Sequence, residues 1–141
     1  MTHFSITIDI HAPPDRVWAV MRDIERWPEW TASVTSVTPL DGGPLAIGAR
    51  ARIRQPRLLP AVWRVTSLQD GSSFAWETRS PGVCVTARHW VEPAPGGSRA
   101  TLALEFSGLF GPLVARLTRD LNQRYLALEA SGLKQRSERA L

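Results

Sequence analysis

The 141-residue chain has one cysteine, one tyrosine, one lysine and three histidines, and each scarcity removes a class of chemistry. Cys84 has no partner for an internal disulfide and, standing alone, reads as a small half-buried hydrophobe rather than a nucleophile. His3 and His11 bracket the first apolar segment and His89 is alone in its region, so no His/Cys/Asp cluster has metal-ligand spacing, and neither a metal nor a cofactor is expected. Gly42-Gly43 and Gly96-Gly97 are loop pairs without the strand-loop-helix setting or the lysine of a phosphate cradle. No G-x-S-x-G nucleophile elbow occurs. There is no apolar stretch of membrane-spanning length and no basic segment followed by an apolar run at the start, so a cytoplasmic protein without integral membrane association is expected.

What is present is arginine, tryptophan and short alternating segments. Of seventeen basic residues only Lys134 is lysine, and the formal charge is +4. Arg50, Arg52 and Arg54 share one face of a strand, because alternate strand residues point the same way. Without a groove-reading helix or interleaved aromatics they read as a solvated outer face, and no nucleic-acid partner is expected. The run Phe4-Ser5-Ile6-Thr7-Ile8-Asp9-Ile10 alternates apolar and polar residues and predicts a half-buried strand. Pro14 suits a first helical position and Asp15 the positive helix end, with Val17, Met21 and Ile24 at helical spacing behind them. Trp27-Pro28-Glu29-Trp30 ends that helix and starts a second short one.

Further strands are expected over 33–39, 49–55, 62–68, 73–79, 83–91 and 99–106, linked by Gly- and Pro-bearing turns as an antiparallel meander. One long helix is expected from 111 or 112 to about 137, with Phe110, Val114, Leu117, Leu121, Tyr125 and Leu128 as its apolar stripe. Nothing divides the chain, so 1–141 reads as a single domain. Strand parity then sorts the side chains. Outward Arg50, Arg52 and Arg54 leave Ala49, Ala51, Ile53 and Gln55 inside, and outward Arg64 leaves Trp63, Val65 and Ser67 inside. The same rule turns Phe74, Trp76, Thr78, Ala87 and His89 inward and puts Cys84 and Trp90 on the outer face.

The N-terminal strand, proline-led helix and W-P-x-W turn together resemble the START-like (SRPBCC) superfamily, in particular its bacterial polyketide cyclase/dehydrase-like branch. The resemblance continues through Gly48-Ala49-Arg50, Gln55-Pro56, Trp63-Arg64-Val65-Thr66, Phe74-Ala75-Trp76, Pro81-Gly82, His89, Gly97 and the terminal helix ending Gly132-Leu133-Lys134-Gln135-Arg136-Ser137-Glu138. It implies an α+β helix-grip fold: a curved antiparallel sheet wrapped around a long C-terminal helix, two short helices after the first strand, and an apolar cavity between sheet and helix. It also offers one activity, aromatase/cyclase chemistry on a poly-β-keto chain.

An interior of this kind is mostly apolar with a few polar groups, as a small-molecule pocket requires. Gln55, Trp63, Trp76, Ala87, His89, Leu117, Leu121 and Tyr125 are the expected ligand-binding residues. His89 is the inward group that titrates near neutrality and hence the candidate general acid or base, although a bond to Gln55 or Tyr125 would make it an ordinary satisfied core residue. Few other polar groups are expected inside. Three functions stay open: binding of a hydrophobic small molecule by a monomer or homodimer; a cyclase, dehydratase or isomerase using His89; and a protein-interaction module acting through Trp90 and the arginine stripe.

Overall fold

The computed structural model describes residues 2–139; the ends of the expected 1–141 domain lie outside them. Strand β1 (Thr2–Ile10) leads into α1 (Pro14–Arg22) and a 3₁₀ helix (Ile24–Glu29), and six more strands follow. These are β2 (Ser36–Pro39), β3 (Arg50–Arg54), β4 (Ala61–Gln69), β5 (Ser73–Ser80), β6 (Val83–Ala94) and β7 (Gly97–Ser107). All pair antiparallel in one sheet ordered β1-β7-β6-β5-β4-β3-β2, so only β1 returns from the far end of the chain to close on β7. Two helices complete the chain, α2 (Gly111–Leu117) and α3 (Arg119–Glu138).

The local signals behave as their chemistry dictates. Pro14 opens α1 and Asp15 lies in its first turn, while Val17, Trp18 and Met21 are buried. Trp18 donates its Nε1–H to Asp70 Oδ1 at 3.1 Å, so the polar end of that buried ring is satisfied. Trp27 is buried by the 3₁₀ helix and donates to the Met21 carbonyl at 3.0 Å. The end of α3 is tied back to this N-terminal region by Arg136 on Glu29 at 2.7 Å and by Arg16 Nε on the Ser137 carbonyl at 3.0 Å.

Three expectations are corrected. Strand β2 starts at Ser36, because Ser33 is fully buried in a turn where its hydroxyl pairs with that of Thr31 at 2.7 Å. Ser67 is exposed, not inward: the β4–β5 register shifts between Val65 and Ser67, and beyond that bulge Leu68 pairs with Phe74. The terminal helix is two helices. At Thr118 the backbone leaves helical geometry and its hydroxyl donates to the Val114 carbonyl at 2.7 Å, the four-residues-back bond that bends helices. Asn122 Nδ2 donates to the same hydroxyl at 2.9 Å and fixes the bend.

Candidate functional site

A cavity of about 500 Å³ lies between the inner face of the sheet and the α2–α3 pair. Its walls are largely aromatic and aliphatic. Trp63 and Trp76 stand 5.9 Å apart from β4 and β5, Trp27 approaches Trp76 at 5.4 Å from the 3₁₀ helix, and Ala87 leaves room on β6. A smaller cleft of about 320 Å³ carries Arg22, Asp23, Asp41 and Arg50 in its lining, so its charged rim suits an apolar ligand less well.

Six of the eight expected binding residues line the cavity: Gln55, Trp63, Trp76, Ala87, His89 and Tyr125. Leu117 and Leu121 do not. Leu117 is 75% exposed on the outer side of α2, and Leu121 is half-buried away from the cavity. The bend at Thr118 accounts for the error, since the face turned inward carries Val114, Thr118, Asn122, Tyr125 and Glu129. Those positions repeat at helical spacing, but they are mostly polar, so an apolar stripe could not reveal them. The interior is thus richer in polar groups than expected, and Glu129 is the residue that sequence reasoning missed.

His89 is buried at 5% exposure and packed in rings: it stacks on Phe74 with centroids 4.4 Å apart and meets Trp27 at 5.4 Å. It bonds to neither of the partners expected for it. Gln55 Nε2 donates to the Ser33 carbonyl at 3.2 Å, and the Tyr125 hydroxyl donates to the Pro56 carbonyl. Burial pushes the His89 pKa from its usual 6.5 down to about 4, with a weaker opposing pull from the Phe74 backbone, so the ring is neutral at physiological pH. Nδ1 is sealed from solvent with no hydrogen-bond partner.

Glu129 presents the complementary case. Glu129 lines the cavity and is only half-buried as a residue, but protein surrounds its carboxyl, and burial raises its pKa from 4.5 to about 7 with no charged neighbour contributing. Much of the population therefore carries a neutral acid at neutral pH, able to donate one O–H and accept at the other oxygen. Among the described residues no group of three or more His, Cys, Asp or Glu is arranged to hold a metal ion. No described helix is long and apolar enough to cross a membrane.

Among curated proteins, none matches this chain in sequence. Solved structures share the architecture at low identity. The Zhui aromatase/cyclase from a Streptomyces species superposes with a TM-score of 0.78 at 16% identity, covering 98% of this chain and 94% of that one. Protein TTHA0849 from Thermus thermophilus gives 0.76 at 20% identity over 96% and 97% of the two chains. Ara h 8.0201 gives 0.75 at 13% identity over 98% and 99%. A family model described as polyketide cyclase/dehydrase and lipid transport matches residues 1–138. With its seven-stranded curved sheet closed over a long terminal helix, the chain belongs to that family, within the START-like helix-grip superfamily.

Proposed function

We propose that the chain binds a hydrophobic, ring-bearing small molecule of polyketide, isoprenoid or lipid character, and that the ligand carries an oxygen acceptor. The observation that supports this most strongly is the cavity itself: about 500 Å³ with walls rich in aromatic rings and a protonatable Glu129 turned into it. Apolar area supplies affinity, and the few polar groups fix orientation. A neutral carboxyl in such a place loses hydrogen bonds it would have in water, at a cost of about 1–3 kcal/mol. A ligand carbonyl or hydroxyl oxygen recovers that loss, and His89 adds a second polar group to the same cavity. Trp63 and Trp76 supply faces for a ring, as in offset or edge-to-face aromatic pairs.

Titration with Nile red, read by quenching of tryptophan emission, tests the cavity as the site. Stacking adds roughly 0.5–1.5 kcal/mol beyond area burial, so Trp63→Leu should weaken binding about tenfold. Trp90→Leu is the control, since Trp90 lies on the opposite face of β6 and outside the cavity lining. Equal affinity for wild type and Trp63→Leu, with the fold intact, moves the site elsewhere. Native mass spectrometry of protein isolated from its own host then identifies the natural ligand.

A second reading, proton-transfer catalysis, is favoured by one feature: His89 and Glu129 face the same cavity, and burial moves their proton affinities in opposite directions. A neutral acid and a neutral imidazole on one cavity are the equipment for enolising a β-keto compound, or for eliminating water from the β-hydroxy carbonyl that an aldol closure leaves. A turnover rate that falls as pH rises through 7, and loses that break in Glu129→Gln, establishes it; ligand binding with no turnover by the wild type leaves the binding reading alone.

A further inference from the structure

Phe110 and Leu117 of the expected core stripe are exposed, and with Leu113 they form an apolar ridge on α2. Leu113 and Leu117, one turn apart and so on one face, are 54% and 75% exposed. Leu109 and Phe110 precede them in the open. On the other side of the cavity the loop after β3 carries Leu58 and Leu59, the latter 88% exposed, and this loop and the Val114–Thr118 side of α2 both line the cavity. Isolated exposed leucines are ordinary, but four large apolar side chains exposed between Leu109 and Leu117, with two more on a loop that lines the same cavity as α2, are not.

Charge indicates what covers them. Arg57 stands in the loop, Arg116 on the flank of α2 away from the cavity, and Arg119 and Arg124 at the start of α3; none of the four is within ion-pair distance of an acid among the described residues. Asp120 is the single acid from Leu109 to Arg124. An apolar ridge edged by unpaired guanidinium groups matches the boundary between acyl chains and anionic headgroups. The loop is also poised at the mouth: the Tyr125 hydroxyl holds its Pro56 carbonyl, and Arg57 adopts a left-handed conformation, φ 66°, which a non-glycine residue takes only under constraint.

We infer that this rim docks on an anionic lipid bilayer, α2 and the Leu58–Leu59 tip entering the headgroup boundary so that a lipophilic ligand passes between membrane and cavity without crossing water. This rests on the proposed binding of a hydrophobic ligand, and the two are separable by experiment. The full chain is sedimented with phosphatidylcholine vesicles, with and without phosphatidylglycerol at roughly one lipid in three. Nile red binding is measured in parallel in vesicle-free buffer. The expected result is partition onto the anionic vesicles alone, weakened by added salt, and a loss of tenfold or more in the Leu113→Ser/Leu117→Ser double variant, whose Nile red affinity stays at the wild-type value because neither leucine lines the cavity. An Arg116→Gln/Arg124→Gln variant should lose the preference for phosphatidylglycerol. No partition by the wild type, or equal partition by the leucine variant, overturns the docking while leaving Nile red binding to decide the cavity's role. A wild-type dimer that the leucine variant converts to monomer, with no vesicle binding, assigns the ridge to a second copy of the chain and also overturns it.

Discussion

Gly132→Ala should destabilise the protein by about 3 kcal/mol or more, the reverse of what the same change does in an ordinary helix interior, where alanine gains about 1 kcal/mol. Gly132 sits in α3 where the Trp27-Pro28-Glu29-Trp30 segment crosses it. A Cβ there would stand 1.9 Å from the Trp30 carbonyl oxygen and 2.9 Å from its carbon, and both are backbone atoms that cannot swing aside. Either α3 or the 3₁₀ helix must move. Trp30 and Trp27 lie with ring centroids 5.6 Å apart, and Trp27 touches both His89 and Trp76, so a shift at the crossing reaches the cavity wall. Urea unfolding of the variant reads the sign directly. A neutral or stabilising result means that the two elements do not cross so closely, and a variant too unstable to purify is compared through Gly132→Ser expressed at low temperature, where any recovered protein should show a lowered midpoint and weaker Nile red binding.

That crossing explains why the N-terminal block was so legible. Proline at a helix start, proline after Trp27 and a glycine far along the last helix are each dictated by backbone geometry, which acts locally and leaves a mark in the residue type. Strand parity was legible for the same reason: outward Arg50, Arg52 and Arg54 are exposed and inward Ala51 and Ile53 buried, because a two-residue period has a single phase once one face is charged. It failed where a bulge reset the phase, at Ser67, since nothing in Val65-Thr66-Ser67 announces an extra residue.

The helix side of the cavity was not legible, and the reason is physical. Apolar periodicity reports which face a helix buries against other side chains, but a face that looks into a cavity has no side chains to meet and is free to carry Thr118, Asn122 and Glu129. Leu117 and Leu121 carried the stripe out of phase, because their spacing fits a core period while Leu117 stands in solvent and neither lines the cavity. The signal available was the polar repeat itself: three polar residues at spacings of four and seven on the face of a helix that must cover a sheet. His89 was found because it stands on a strand of known parity; the bonds that draw Gln55 and Tyr125 away from it were not, because hydrogen bonds across the fold depend on loop paths such as those of Ser33 and Pro56, which no spacing encodes.

Opposed titrations give the second large effect. His89 has its pKa lowered by burial from 6.5 to about 4, so its neutral form is preferred in the folded chain; the associated stability is complete above pH 6.5 and is lost as pH falls toward 4. Glu129 has its pKa raised by burial from 4.5 to about 7, so the fold prefers it protonated; its penalty is absent below pH 4.5 and complete above pH 7. Between pH 4.5 and 6.5 one slope rises and the other falls, each by at most about 1.4 kcal/mol per pH step, and they cancel. The carboxylates held low by arginine or lysine, Glu29, Asp41, Glu77 and Glu138, lose their contribution only toward more acid pH and leave this window alone. The wild type should therefore show a nearly flat unfolding free energy across it. Glu129→Gln removes the falling limb, so its stability should climb by about 2–3 kcal/mol from pH 4.5 to 6.5; His89→Phe, which keeps the ring stacked on Phe74, should fall by about 2 kcal/mol over the same range, less for the part of Glu129 that cavity water screens. Urea midpoints at four pH values for the three proteins decide it. Parallel profiles for wild type and both variants would mean that neither group is held in a dry cavity, and the same result would remove the neutral acid on which the binding of an oxygen acceptor depends.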